Sequence, residues 1–414
     1  MTHRTRQAIA PLAIFSALLT AAQLLTPSHR VSAADAPTGS VGPGVPAFTV
    51  RPGYRVTLAA DHLGEARFIQ FDDKGTLYLS QPGRGTILTL KDKGDGTYQT
   101  LGKFITGKPT VHGLQWHDGW LWFTQSGSIY KGRDTNGDGV ADEVVTVIPE
   151  GQLPSGGGHW WRSILVTNDS IYTSIGDDQN LSDHTGDDRE KIWRYDLNGG
   201  NKRLFCSGIR NTEKLMLRPG TDEIWGSDHG SDNFGGPLGE GKWQPPAGSG
   251  LSKQPLTDAV PPEEFNHYVQ DGFYGHPFVV GDRLPRPEYL NRPDILELIA
   301  KTIPPAWSAG AHWAGNGWTF VTKDYFPGQK GNAWVAYHGS WNSTKKVGYR
   351  VESILFDTMT GQPYGSQLIV STLAANGNDV LARPVDCVEA PDGSMLFTSD
   401  QGSRIYRITY TGAR

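Results

Sequence analysis

Six stretches of the chain repeat one short apolar phrase. They are Leu77-Tyr78-Leu79-Ser80, Leu121-Trp122-Phe123-Thr124, Ile171-Tyr172-Thr173-Ser174, Ile224-Trp225-Gly226-Ser227, Ala333-Trp334-Val335-Ala336 and Met395-Leu396-Phe397-Thr398. Each follows an apolar stretch that ends in a polar or glycine-containing turn, such as Asp72-Asp73-Lys74-Gly75 or Pro391-Asp392-Gly393. Most precede a third short strand-like run, such as Ser403-Arg404-Ile405-Tyr406-Arg407. Strand, tight turn, strand and strand, recurring every few dozen residues, is the pattern of blades arranged around an axis.

One blade cannot cover both faces of its own sheet, so the repeat predicts a single all-β domain rather than several. The 414 residues include 52 Gly and 27 Pro, the punctuation that a turn-rich β protein needs. The 13 Trp, 15 Tyr and 15 Phe argue against disorder as the source of that composition.

The repeat phrases start 44, 50, 53, 109 and 62 residues apart. The long gap contains no further phrase. Residues 236–262 read as Pro- and Gly-rich loop, and 285–305 hold one helix-like run, Asp294 to Lys301. The expectation is therefore a six-bladed β-propeller over residues 51–414, with a long insertion after the second strand of the fourth blade. Tyr54-Arg55-Val56-Thr57-Leu58 is expected to close the ring beside Ile405-Tyr406-Arg407-Ile408, which removes an open sheet edge.

Residues 1–33 read as a signal peptide. Arg4 and Arg6 precede an apolar run, and Val31-Ser32-Ala33 supplies small residues for cleavage. Pro11 and Gln23 interrupt the run, so cleavage is expected and no membrane span should remain. The product would be periplasmic or secreted, with residues 34–50 as a linker. Loss of Arg4, Arg6 and Arg30 leaves 35 basic against 43 acidic residues, which moves the formal charge from -5 to -8. Such a chain offers no basic footprint for nucleic acid. The chain lacks Cys-x-x-Cys-His and any Gly-x-Gly-x-x-Gly that follows a strand and opens a helix, so covalent haem and a Rossmann nucleotide site are not expected. Spacing alone does not say whether Cys206 and Cys387 are joined.

Propeller geometry brings the residues before each first strand, and after each second strand, to one mouth of the central channel. Before first strands lie His112, His159 with Arg162, Arg210 with Asn211, His312 and Arg383. After second strands lie Asp177, Asp228 with His229, His338 and Asp400. Guanidinium forks suit carboxylates or phosphates, and an imidazole among them can accept a proton near neutral pH. A small anionic ligand at the hub is the expectation.

Several segments, in order, carry a family resemblance: Gly157-Gly158-His159-Trp160-Trp161-Arg162, Gly208-Ile209-Arg210-Asn211, Asp271-Gly272-Phe273-Tyr274-Gly275-His276-Pro277, His338-Gly339-Ser340-Trp341-Asn342 and Arg383-Pro384-Val385-Asp386. The set resembles the soluble sugar dehydrogenases that use pyrroloquinoline quinone (PQQ), the glucose/sorbosone dehydrogenase type. That resemblance implies an exported oxidoreductase that oxidises a sugar hydroxyl or hydrated aldehyde and passes electrons to an unnamed acceptor. It implies His159 as the general base and Arg210, Asn211 and Arg383 around PQQ; His338 and Asp177 are expected beside the cofactor from their positions after second strands. It also implies a Ca²⁺ near the cofactor, with main-chain ligands mapping to Gly230 and Ser231. The chain departs from the pattern in places: Gly158 stands where the glucose-oxidising branch has Asp, His276 where the family has Trp, His338 and Trp341 where a lysine is expected after the fifth-blade strand, and the loop Gly236 to Pro262 has no counterpart. A non-catalytic carbohydrate-binding propeller and a metal-dependent lactonase are the alternative readings.

Asp134, Asn136, Asp138 and Asp142 fall at positions one, three, five and nine of a calcium-type loop, but Val145 stands at the twelfth. A structural Ca²⁺ and a self-bonded Asp/Asn hairpin turn are both compatible with that spacing.

Overall fold

Six twisted sheets stand around a central channel. The fold is described by a computed structural model that places residues 39–234 and 254–412. The expected signal peptide and residues 235–253 of the expected insertion lie outside the described residues. Among the described residues no helix is long and apolar enough to cross a membrane.

All six repeat phrases are second strands. They lie in Leu77–Gln81, Trp120–Gln125, Ser170–Ile175, Ile224–Asp228, Ala333–Tyr337 and Met395–Ser399. Nearly every residue of these strands is buried, because neighbouring blades cover both faces. Outer strands such as Tyr98–Ile105 keep an exposed face. Blades 1 and 2 are plain four-stranded meanders, Ile69 to Ile105 and Leu114 to Ile148.

The apolar core is divided among the seams. Each of the six blade–blade interfaces has its own cluster of buried side chains. Between blades 4 and 5, Trp225 and Phe265 meet Trp318, Phe320 and Phe356, with edge-to-face rings such as Phe265–Trp318 at 4.8 Å between centroids.

Closure joins the two ends of the described chain, as expected. Tyr54–Ala60 runs antiparallel to Arg404–Tyr410, with Val56 opposite Ile408. The segment read as a linker is also partly built into the ring. Ser40–Val41 lies parallel to Tyr54–Ala60, and Thr49–Val50 adds to the outer strand of blade 5. Both short strands cap sheet edges that would otherwise present unpaired backbone groups.

The long gap divides into two excursions of blade 4. The first leaves the second strand at Asp228 and returns at Glu264–Tyr268. It carries a short helix, Gln254–Ala259, within what the sequence reads as loop. The second precedes the fourth strand, Trp307–Ser308, and contains the expected helix as Ile295–Lys301. On its way it lends Gly272–Phe273 to blade 3, parallel to Arg203–Ser207. Cys206 and Cys387 are free and buried.

Residues buried in the closure seam should matter more to stability than those on the exposed face of the insertion. Ile408 is fully buried there, whereas Leu296 on the helix Ile295–Lys301 is 77% exposed. Ile408→Ala should cost about 2–5 kcal/mol in urea unfolding, while Leu296→Ala should stay within about 0.5 kcal/mol.

Candidate active site

At one mouth of the channel the first-strand starts and second-strand ends surround a cavity of about 200 Å³. His159, Arg210, Asn211, His229, His312, His338 and Arg383 all line it, as the topological argument predicts. They come from blades 3, 4, 5 and 6 and from the loops between them.

His159 is held from below. Its Nδ1 lies 2.9 Å from the carbonyl oxygen of Asp177. A carbonyl can only accept, so Nδ1 carries the proton and Nε2 of the neutral ring keeps its lone pair. Burial lowers the pKa of His159 to about 3, helped by the nearby charges of Arg210 and His229. The two glycines before it let the loop come close. Gly157 has φ +83°, and a Cβ there would sit 2.6 Å from that of Asp178. The Gly158 N–H donates to the Asp178 carbonyl at 2.5 Å.

Each arginine at the hub has a different set of partners. Arg210 donates to the carbonyls of Asn180 and Gly230 and to the Asn180 side chain, and pairs with Asp232 at 3.3 Å. Its own N–H and that of Asn211 are fixed by the two oxygens of Asp228, at 2.9 and 2.7 Å. Arg67 reaches Asp400 at 3.1 Å and Glu213 at 3.4 Å, and its guanidinium lies 4.3 Å from the ring centroid of Trp161. Arg383 forms no ion pair among the described residues. Its Nη2 instead donates to Nδ1 of His338 at 3.0 Å. That bond makes His338 a neutral ring whose Nε2–H donates to Asp400 at 2.8 Å. Burial likewise pushes the His338 pKa down. Burial alone would raise the Asp400 carboxyl, but the His338 bond and the Arg67 charge hold it at about 2.

The remaining expected residues serve as supports. Asp177 does not line the cavity. It is fully buried and accepts from the N–H groups of Gln179 and Ser182 while facing His276. Arg162, also fully buried, donates to the carbonyls of Pro154, His159 and Trp161 and so fixes the loop that carries His159. Gly230 lines the cavity, but its carbonyl accepts from Arg210. The side-chain hydroxyl of Ser231 is taken by Arg286. Asp134, Asn136, Asp138 and Asp142 lie in the hairpin joining the last two strands of blade 2, where each side chain accepts from N–H groups of the loop itself.

The sequence reading omits Arg67, Trp161, Glu213, Asp232 and Glu263, all of which line the cavity. Arg67 was detectable, since it directly precedes the first strand of blade 1. The acids lack such a signal, because Glu213 is an ordinary strand residue and Glu263 sits at the end of an irregular insertion.

A free imidazole titrates near pH 6.5, and His159 should not. Its NMR titration should show no inflection between pH 5 and 8. An inflection near 6.5 would mean that it is not desolvated as described. The unfolded chain protonates this group near 6.5 but the native chain only near 3, so His159 should make the fold less stable as pH falls through that window. In His159→Gln, the loss of unfolding free energy between pH 7 and pH 4.5 should be smaller than in the wild type.

Among solved structures, the chain is similar to the PQQ domain of a pyranose dehydrogenase from Coprinopsis cinerea, with 18% identity, TM-score 0.73, and 89% of this chain and 100% of that one covered. It is similar to a Trichoderma reesei enzyme of carbohydrate-active family AA12, with 20% identity, TM-score 0.72, and 89% and 98% covered. A third likeness is the soluble aldose sugar dehydrogenase of Escherichia coli, with 17% identity, TM-score 0.61, and 86% and 99% covered. At these identities the likenesses establish the fold. A curated Borreliella burgdorferi protein described as uncharacterized is 26% identical over 270 residues, 65% of this chain, and the chain spans 64% of its length. The TrAA12-like family model matches residues 48–268 and 300–411, both the repeat strands and the hub residues they carry. The chain belongs to the TrAA12-like family.

Proposed function

We propose that this protein is an exported quinoprotein that oxidises a hydroxyl or hydrated aldehyde of a sugar, with PQQ and Ca²⁺ at the hub. The observation that carries this reading is the pairing of a neutral His159, its Nε2 lone pair unprotonated, with a cavity wall that also holds Arg383, whose guanidinium forms no ion pair among the described residues.

The donor set suits the cofactor. PQQ bears three carboxylates, and Arg383, with no acid partner among the described residues, is the natural fork for one of them. Arg210 and Asn211 present further donors on the same wall. Glu263 is 2% exposed, lines the cavity, and forms no ion pair among the described residues. Burial raises its pKa, although His229, His312 and Arg210 lie near and the Gly230 N–H donates to it, so a cation at the hub would further favour its charged form. Glu263 and the Gly230 carbonyl are the oxygens of this chain best placed to meet a Ca²⁺, provided that Arg210 yields its bond to Gly230.

When bound, PQQ supplies an ortho-quinone that takes a hydride from the sugar carbon. The residues of the chain do the rest. His159 Nε2 accepts the hydroxyl proton, and the Asp177 carbonyl steadies the imidazolium that results. Trp341, 73% exposed beside the cavity, offers a flat face against which a pyranose ring can stack. Delivery to the periplasm or beyond, read from residues 1–33, belongs to the same proposal, as does an electron acceptor outside the chain.

Reconstitution tests this reading. The purified protein, given PQQ and Ca²⁺, should reduce a dye in the presence of an aldose, and removing calcium should lower the rate. His159→Asn should cut kcat by about 10²–10⁴ while PQQ still binds. Arg383→Met should instead weaken PQQ binding. Absence of PQQ binding, with a carbohydrate still bound, would point instead to a carbohydrate-binding propeller.

A further inference from the structure

Below His159, the loop from Asp177 to Lys191 gathers acids and imidazoles that the reaction does not use. Two of its acids, Asp177 and Glu190, are buried together with His276, which comes from the segment after Gly272–Phe273. His276 Nε2 lies 3.1 Å from Asp177 Oδ2 and 3.4 Å from Glu190 Oε1. Only the first of these contacts is a hydrogen bond. Glu190 is 4% exposed, and its Oε1 has no hydrogen-bond partner although it faces the other two groups. A buried carboxylate oxygen with an empty lone pair is costly unless something positive meets it.

We propose that Asp177, Glu190 and His276 bind a divalent transition-metal ion, with Zn²⁺ or Mn²⁺ matching the donor set. Charge favours it. Two carboxylates, a neutral imidazole and a divalent ion sum to no net charge. Spacing favours it as well. Ligands about 2.0–2.1 Å from a tetrahedral ion stand roughly 3.3–3.5 Å apart, close to the two separations that His276 makes, with all three ligand atoms within 4.8 Å of one another. One imidazole among few oxygens suits such an ion better than Ca²⁺, which takes six to eight oxygens. Asp177 is already oriented by the N–H groups of Gln179 and Ser182, as a ligand carboxylate commonly is. Glu190 and His276 also line a side cavity of about 210 Å³, with Thr185 and Lys191, through which an ion and a fourth ligand water can enter.

The ion competes with a purely internal arrangement. Burial opposes a charge on His276, but Glu190 and Asp177 beside it raise its pKa overall, so an imidazolium salt bridge is the state to be displaced. His184 provides a second contender. It sits 3.6 Å from Asp177 and 3.1 Å from Asp178, and these three form a neighbouring, less buried group. The consequence of the buried site is positional. The residue it would pin is the one whose carbonyl holds His159. The site itself does not depend on the sugar-oxidising reading.

The test uses the full chain, stripped with a chelator and dialysed. Calorimetric titration with zinc sulfate and with manganese chloride should show one tight site for at least one of the two ions, with a higher Tm on loading. Glu190→Gln and His276→Gln should each weaken binding at least about 10-fold, while His184→Gln should retain it. Should those variants fold poorly, anomalous scattering from zinc-soaked wild-type crystals should place the ion between the three side chains. Absence of a stoichiometric site in the wild type overturns the proposal. So does binding lost only in His184→Gln, or a Tm indifferent to both ions.

Discussion

The two faces of every blade need cover, and only a neighbouring blade can supply it. This single demand shapes the molecule. It divides the core into six seams, each with its own apolar cluster. It makes the second strands almost wholly apolar or small, because they are covered on both sides. It also forces closure, since an unclosed ring would expose a seam as well as a sheet edge. Tyr54–Ala60 meets that need against the last strand of the chain, and Tyr54 and Val56 join the cluster between blades 5 and 6.

Closure has a chemical consequence. Strand starts and ends from different blades meet at one mouth, so short loops far apart in sequence share a cavity. Charges placed there are desolvated, and desolvated charges persist only with partners. Accordingly the hub is not a bare cationic bowl. Arg67 is tied to Glu213 and Asp400, and Arg210 to Asp232. His338 is neutral because it takes a bond from Arg383 and gives one to Asp400. Arg383, free of any acid among the described residues, is left to meet a ligand.

His159 shows how much lies behind one side chain. Gly157 and Gly158 admit a close loop crossing, Arg162 fixes the carbonyls around it, and Asp177 selects its tautomer through a backbone oxygen. Asp177 in turn leans on the Glu190 and His276 group. His276 ties that group together through Asp177 and Glu190.

The strands, their order and the six-fold count were legible because burial on both faces leaves a run of apolar residues bounded by turns, and that run is local. The hub imidazoles and arginines were legible because their positions relative to those strands repeat from blade to blade. Other features were not local. Ser40–Val41 and Thr49–Val50 look like linker until a distant strand edge gives them partners. Gly272–Phe273 reads as part of an insertion after blade 4 yet completes blade 3. Glu213 and Glu263 carry no mark of their site in the sequence. Asp177 was expected around the cofactor, yet it is buried behind the cavity wall, where its carbonyl serves His159. The sequence by itself determined the architecture and brought most of the hub imidazoles and arginines to one mouth. The tertiary structure alone decided which charges neutralise one another there, because pairing depends on distances of about 3 Å between groups hundreds of residues apart, such as Arg67 and Asp400.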